Sequence, residues 1–284
     1  MQKGPMANSD ILPSKPIALT IAGSDPSGGA GIQADLKTFT VLGVYGAAVI
    51  TALTAQSTRG VAAIHRVPAA FVAQQIDVLA DDLSVGATKT GMLHDRATVL
   101  ATAEAVRRHS LHPLVVDPVM VATSGDVLLE DDAIAAYLSD LIPLADVLTP
   151  NLEEAARLTG RPVARDEEQM LEQAQALQGL GCKTVVMKGG HCTGAQATDV
   201  FLGVDGQVLR LTQPRVATPN THGTGCTFSA AMTASLARGR TMPDAVSDAK
   251  AFVHGALMAG RQLHIGHGTG PVDHLFRSDR RKGP

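Results

Sequence analysis

The sequence predicts an α/β fold with a mostly parallel central sheet, helices on both faces and a small β-hairpin at one edge. Short β-branched runs alternate with longer Ala-rich stretches of helical period, which is typical of βαβ units. Glycine and polar residues follow several of the strand-like runs, where open parallel sheets bind ligands. Two late extended runs flank the turn-like Val204-Asp205-Gly206, which indicates the hairpin.

The elements follow in order along the chain. A first strand at 17–22 leads through the glycine-rich loop 23–31 into a helix at 32–42. The later predicted strands are 48–54, 87–90, 114–117, 146–148 and 184–188; the hairpin strands are 197–202 and 207–211; the later helices are 69–83, 224–237 and 243–262. The polar segment 56–60 is predicted to connect strand 48–54 to helix 69–83.

The composition predicts one large globular domain at 16–276. Hydrophobic residues make up 45% of the 284 residues and there is no Trp, so the core must rest on Ala, Val, Leu and Ile. The polar segment 1–15 is predicted to be a disordered lead-in, and 277–284 a polar tail. No apolar run approaches the roughly 20 residues that span a bilayer as a helix, which predicts a soluble, unexported protein.

The charge pattern gives no indication of a nucleic-acid or membrane surface, so neither is predicted as a partner. Basic residues number 24 and acidic residues 27, and neither sign collects into a long run. The three cysteines, Cys182, Cys192 and Cys226, form no CxxC pair and leave an odd count. That pattern indicates a reducing, cytoplasmic environment, with Cys182 and Cys192 as packing residues.

The most informative segment is 220–226, Asn-Thr-His-Gly-Thr-Gly-Cys, which precedes a run of helical composition. Gly223 and Gly225 let the backbone approach a ligand closely, and the helix start would direct unpaired N–H groups at an anion. Cys226 would then lie where the helix dipole lowers a thiol pKa. The segment therefore predicts a phosphate cradle with a potential base beside it.

The loop at 23–31 is a second glycine-rich segment between a strand and a helix. It lacks the Gly-Lys-Ser/Thr of a P-loop, and its spacing does not give a dinucleotide-binding fingerprint. It is either a ligand loop or a turn that lets strand and helix pack.

Side chains with oxygen atoms that could bind a metal ion follow two of the predicted strands. Asp117 ends one strand, while Asn151 and Glu154 open a helix directly after Pro150. Carboxylate and carboxamide oxygens are hard ligands that suit Mg²⁺ beside a nucleotide's phosphates. The alternative is that Asn151 and Glu154 form a capping box at the helix start.

Lys188 and Gln56 are the remaining polar candidates. An apolar strand delivers Lys188 into a glycine-flanked loop, where it either neutralises phosphate charge or extends its ammonium group into solvent. The Gln56 amide offers a donor and an acceptor that match an aminopyrimidine edge, or it caps a turn. Met92 and Val119 could form apolar walls, although Met is also a common core residue.

Taken together, the motifs closely resemble the hydroxymethylpyrimidine/phosphomethylpyrimidine kinases of thiamine biosynthesis. The segments that carry the resemblance are 18–37, 49–56, 149–154, 187–191 and 220–226, in the expected order. The likeness runs from about residue 16 to about residue 276 and implies a ribokinase-like three-layer fold. It further implies a cytoplasmic homodimer that uses ATP and Mg²⁺ to phosphorylate a small pyrimidine.

The resemblance also implies a role for each candidate residue. Gln56 would bind the pyrimidine edge, with Gly23, Ala30, Met92 and Val119 around the ring and Asp35 nearby; Lys188, Asn151 and Thr221 would bind ATP; Asp117 and Glu154 would organise Mg²⁺; Gly223, Thr224, Gly225 and Cys226 would form the anion hole. Sugar kinases of the superfamily usually carry an aspartate base where this chain has Cys226. Two alternatives stay open: a pyridoxal kinase, and a non-catalytic sensor that binds the pyrimidine.

Overall fold

The computed structural model describes residues 15–122, 125–190 and 194–278, and these residues form a nine-stranded sheet flanked by helices. The strands are β1 (Ile17–Ser24), β2 (Tyr45–Ser57), β3 (Gly60–Arg66), β4 (Ala87–Thr90), β5 (Leu114–Val116), β6 (Val147–Leu148), β7 (Val185–Met187), β8 (Gln196–Leu202) and β9 (Val208–Pro214). The helices are α1 (Gly31–Val41), α2 (Ala69–Asp82), α3 (Arg96–His109), α4 (Asp131–Ala136), α5 (Leu152–Thr159), α6 (Glu167–Gln178), α7 (Thr224–Ala237) and α8 (Met242–Gly260). A π-helical turn at Tyr137–Leu141 and a 3₁₀ turn at Ile142–Leu144 extend α4.

The sheet has the order β3-β2-β1-β4-β5-β6-β7-β8-β9. The strands from β2 to β7 in this order pair in parallel, as the alternating pattern predicts. At the far edge β7 pairs with β8, and β8 with β9, in antiparallel fashion, which confirms the predicted hairpin.

Helices cover both faces of the sheet, and successive strand residues contact different helices because they point to opposite sides. Leu114 and Val116 of β5 are buried in the cluster that includes residues of α2 to α6. Val115, between them, is buried with residues of α7 and α8, while α1 packs against α7 beside Ala18 of β1. The helix assignment to both faces is therefore confirmed.

The prediction for segment 56–60 is wrong. β2 continues to Ser57, and the chain turns back at residues 58 and 59 into β3, which pairs antiparallel with it. β3 is an edge strand with no fully buried residue, and its only sequence signal is the short apolar run at 61–64, which the prediction did not use. The connection is thus a second hairpin rather than a loop.

Parts of the predicted termini, residues 1–14 and 279–284, lie outside the described residues, as does Cys192. Across the described ranges, no helix combines the length and the apolar character needed to cross a bilayer.

Candidate active site

A cavity of about 620 Å³ opens where the parallel strands end and α7 begins. This is the edge at which open parallel sheets bind ligands. The candidate residues of the sequence all line it: Gly23, Ala30, Asp35, Gln56, Met92, Asp117, Val119, Asn151, Glu154, Lys188, Thr221, Gly223, Thr224, Gly225 and Cys226. The fold therefore brings together residues that are up to about 200 positions apart in the chain.

The start of α7 forms one wall of the cavity. Gly223 is the N-cap residue in a left-handed conformation, with φ 77°, which glycine adopts without strain. A Cβ atom at Gly225 would lie 3.3 Å from Lys188 Nζ, tighter than most such contacts. Glycine at this position therefore lets the ammonium group approach the helix start, where free amide N–H groups favour an anion.

Lys188 is held inside the cavity by Asp117. Its Nζ lies 2.8 Å from Asp117 Oδ1, and the lysine side chain is only 14% exposed. Asp117 Oδ2 accepts a hydrogen bond of 3.0 Å from Ser229 on α7. The alternative of an ammonium group extended into solvent is wrong, because the Asp117 carboxylate retains it.

The two charges stabilise one another electrostatically. Burial acts to raise the pKa of Asp117, but Lys188 and Lys89 outweigh it and hold that pKa below its usual range. Burial acts to lower the pKa of Lys188, but Asp117 and Glu154 outweigh it and raise that pKa. Both groups are therefore charged at neutral pH.

Asn151 and Glu154 form the capping box at the start of α5. Asn151 Oδ1 accepts from the Glu154 N–H at 2.9 Å, and Glu154 Oε2 accepts from the Asn151 N–H at 2.8 Å. The capping alternative is confirmed, although both residues also face the cavity. Burial raises the pKa of Glu154 to about 7, while Lys188 opposes the shift.

Asp117 and Glu154 fit an ion that keeps its own water ligands. In the described ranges, no three His, Cys, Asp or Glu side chains are placed to enclose a metal. Mg²⁺ commonly binds one or two carboxylates and completes its shell with water and phosphate oxygens. The carboxylates of Asp117 and Glu154 are therefore compatible with a Mg²⁺ ion that keeps several water ligands.

Cys226 corrects one sequence expectation. Its thiol was expected to have a lowered pKa at the helix start, but burial raises that pKa to about 11. Lys89 and the Gly31 N–H oppose the shift, whereas Asp35 and Asp117 add to it. Desolvation therefore outweighs the helix dipole, and the expectation of a low thiol pKa is wrong.

The opposite wall carries Gln56 and an apolar cluster. Gln56 lies in β2, not in a turn, and Thr54 Oγ1 lies 3.2 Å from its Oε1 and 2.8 Å from the Ser24 carbonyl oxygen. Met92 is buried beside Ala52 and Leu128, with Val119 packed against that cluster. Met92 is thus both a core residue and a cavity wall.

Comparison with known proteins decides the family. The family model described as phosphomethylpyrimidine kinase matches residues 25–273. A hydroxymethylpyrimidine/phosphomethylpyrimidine kinase of Rhizobium meliloti is 56% identical over 261 residues, which cover 92% of this chain and 97% of that protein. The chain belongs to the hydroxymethylpyrimidine/phosphomethylpyrimidine kinase family. The kinase of the same name from Escherichia coli is 50% identical over 258 residues, or 91% of this chain and 97% of that one.

This kinase also resembles solved structures closely. An ADP complex of Bacillus subtilis pyridoxal kinase superposes with a TM-score of 0.84 at 35% identity, over 92% of this chain and 98% of that one. The relationship confirms the predicted ribokinase-like fold. Pyridoxal kinase is a structural relative of this kinase, and the pyrimidine kinase interpretation stands.

Sequence reasoning missed three buried pairs that support the cavity of this kinase. Lys89 Nζ lies 2.7 Å from Asp35 Oδ1, with both side chains fully buried. Two further pairs join Lys250 to Asp199 at 2.8 Å and His222 to Asp25 at 2.8 Å. Lys89 carried a usable signal, because a lysine within an otherwise buried strand requires an acidic partner. The partners themselves are remote in sequence.

Proposed function

We propose that this cavity carries out both phosphorylations of its family in thiamine biosynthesis, with ATP as the phosphoryl donor. The first converts 4-amino-5-hydroxymethyl-2-methylpyrimidine to its monophosphate, and the second converts the monophosphate to the diphosphate. One observation carries the proposal: Lys188, Asp117 and the start of α7 converge in the same cavity as Gln56 and Met92.

The acceptor pyrimidine is proposed to bind on the β2 side. Gln56 would exchange hydrogen bonds with the aminopyrimidine edge, because its amide carries both a donor and an acceptor. The ring would lie among Gly23, Ala30, Met92 and Val119. Asp35 has its carboxylate occupied by Lys89 and by Thr20, whose hydroxyl donates at 2.6 Å, so it would support the pocket electrostatically.

The phosphates of ATP are proposed to bind at the start of α7. Phosphoryl transfer depends mainly on positioning and on stabilising charge, and the Lys188 ammonium group supplies that charge beside the amides of Gly223 to Cys226. Asn151 and Thr221 would contact the nucleotide from either side of the cradle. Asp117 and Glu154 would hold Mg²⁺ through water, and the ion would neutralise phosphate charge.

The two acceptors place different demands on Cys226. In the first step an alcohol must lose a proton as it attacks the phosphoryl group, and the Cys226 sulfur is the proposed proton acceptor. In the second step the nucleophile is an anionic phosphate oxygen, so no base is required. Cys226 would then serve only as part of the anion hole.

We also propose a single kinase domain at 16–276 that works in the cytoplasm as a homodimer. The homodimer is supported by large apolar side chains that are exposed on two neighbouring elements, namely Leu53 on β2 and Phe71 and Val78 on α2. Sedimentation should then give about twice the chain mass of 29.4 kDa. Phe71→Asp should shift the protein toward monomer, and a monomeric wild-type protein would contradict the proposal.

Product analysis tests the proposed activity. The protein is incubated with ATP, Mg²⁺ and hydroxymethylpyrimidine, and parallel reactions contain pyridoxal instead. We expect monophosphate followed by diphosphate, with two ADP released per pyrimidine consumed. Faster turnover of pyridoxal would favour the pyridoxal kinase alternative, and pyrimidine binding without ADP release would favour the sensor.

A further inference from the structure

The glycine-rich loop and the phosphate cradle meet at a junction that is formed by Asp25 and His222. We propose, on the basis of the two-step function above, that this pair sets the spacing between pyrimidine pocket and phosphoryl cradle. It thereby acts as a positioning pair that governs the relative rates of the two phosphorylations. Neither residue is one of the groups proposed to contact the transferring phosphoryl group.

Asp25 organises the loop that lines the pyrimidine pocket. Its Oδ2 accepts hydrogen bonds from the Ala30 N–H at 2.8 Å, the Gly29 N–H at 3.2 Å and the Ser27 hydroxyl at 2.9 Å. Its Oδ1 accepts from the Ser27 N–H at 2.8 Å. One carboxylate therefore fixes the turn that presents Ala30 to the cavity.

His222 connects that carboxylate to the cradle. Its Nε2 lies 2.8 Å from Asp25 Oδ2, both side chains are buried, and the next residue is the N-cap of α7. The His222 backbone is held separately, since its N–H donates to the Gly270 carbonyl at 3.0 Å. The imidazole therefore extends from a fixed backbone to the loop.

The two segments approach closely, through backbone at Gly223 and through the His222 ring at Gly29. A Cβ atom at Gly223 would lie 1.8 Å from the Gly29 carbonyl oxygen, and one at Gly29 would lie 2.4 Å from His222 Cδ2. At Gly223 the obstacle is a backbone atom, so only glycine fits, whereas a side chain at Gly29 would displace the His222 ring. Backbone contact and the Asp25–His222 contact together thus set the distance between loop and cradle.

That distance matters differently for the two acceptors. The attacking oxygen is the hydroxymethyl oxygen in the first step and a phosphate oxygen, two bonds farther from the ring, in the second. A displacement of about 1 Å from the reactive geometry can cost roughly 10²-fold in rate. One spacing between pocket and cradle cannot be optimal for both steps, so a change at the junction should alter their ratio.

The test compares His222→Asn and Asp25→Asn with the wild-type protein, and kcat and KM are measured separately for the pyrimidine and its monophosphate. We expect each variant to change the ratio of the two kcat values by about tenfold or more, with KM for ATP changed much less. His109→Asn is the matched control, because it removes a similar contact, 2.7 Å to Asp77, outside the cavity. That variant should leave the ratio unchanged.

Circular dichroism and unfolding midpoints establish whether each variant folds. Because the two variants act on opposite sides of the junction, one of them suffices if the other does not fold. An unchanged ratio, with both steps intact or both slowed equally, would overturn the proposal and leave the pair a structural support. If the wild-type protein failed to phosphorylate either of the two acceptors, the proposed function itself would be contradicted. The two failures are therefore distinguishable.

Discussion

Cys226 shows how strongly burial decides the chemistry of a single residue. With a pKa raised to about 11, the thiolate fraction at pH 7 is about 10⁻⁴ by simple titration. A thiolate of this kind is a strong base that is rarely populated. The proposed role in the first phosphorylation is consequently sensitive to pH, whereas the second phosphorylation requires no base.

The pH profiles of the two steps should therefore differ. Because the thiol pKa is raised, the thiolate population grows about tenfold per pH unit from pH 7 toward 10. We expect kcat for the pyrimidine to rise with pH over this range, and kcat for the monophosphate to change little. Steady-state rates at saturating ATP and Mg²⁺ measure both, and a pH-independent first step would contradict the proposed base.

Lys188 should matter equally for both steps. Lys188→Ala removes the cation that stabilises the phosphoryl group and leaves Asp117 without its ion-pair partner, so both rates should fall by roughly 10² or more. Lys183→Ala is the matched control, because it also removes a lysine–aspartate pair, 2.7 Å from Asp146, outside the cavity. Equal effects of the two substitutions on kcat/KM would show that Lys188 has no special role.

At the scale of elements, the start of α5 combines a structural and a functional role. The capping box satisfies N–H groups at the helix start, and the same Asn151 and Glu154 side chains line the cavity. A helix cap that also faces a ligand site should be needed for stability and for activity. The two roles can be separated by comparing the loss of this N-cap with the loss of an N-cap outside the cavity.

Asn151→Ala should lower the free energy of unfolding by about 1 kcal/mol, as is typical for the loss of an N-cap. It should also raise KM for ATP. Asp166→Ala removes the N-cap of α6, which lies outside the cavity. The Asp166 carboxylate accepts a hydrogen bond of 2.8 Å from the Gln169 N–H. This control variant should lose similar stability in urea unfolding, but its KM for ATP should be unchanged. If KM for ATP were also unchanged in Asn151→Ala, a role of Asn151 in nucleotide binding would be contradicted.

The sequence predicts elements to the extent that they leave a periodic apolar signal. β5 and α7 are buried on the sheet, and their predicted bounds agree closely with the structure. β3 is partly or fully exposed along its length and carries only a four-residue apolar run at 61–64, so its assignment as a strand depends on the pairing with β2. The cavity motifs were visible as glycine and polar clusters, whereas the Asp25–His222 contact spans 197 positions and required the fold.

At the scale of the whole molecule, the cavity is supported by carboxylates that must stay ionised. Burial acts to raise the pKa of Asp25, but hydrogen bonds from His222 and Ser27 outweigh it and lower that pKa to about 2. Asp146, outside the cavity, also has a lowered pKa, because Lys183 and the Leu114 N–H outweigh its burial. Such groups stabilise the fold only while they remain charged.

Acid should therefore destabilise the protein through these groups. A carboxyl with a lowered native pKa contributes its full stability above the unfolded value of about 4 and loses it as pH falls toward the native value. We expect the free energy of unfolding to decrease from pH 5 to pH 3, and to decrease less for Asp25→Asn. Urea unfolding at both pH values measures this, and an identical decrease in the variant would contradict the contribution of Asp25.

The most direct measurement for the proposed mechanism compares the two phosphorylation rates of Cys226→Ala with those of the wild-type protein. Loss of a general base typically costs about 10² to 10⁴ in rate, so the first step should slow by that factor while the second is largely retained. Cys182→Ala, a buried cysteine outside the cavity, is the control and should leave the ratio of the two rates unchanged. Equal slowing of both steps by Cys226→Ala would contradict the mechanism and assign Cys226 to the anion hole alone.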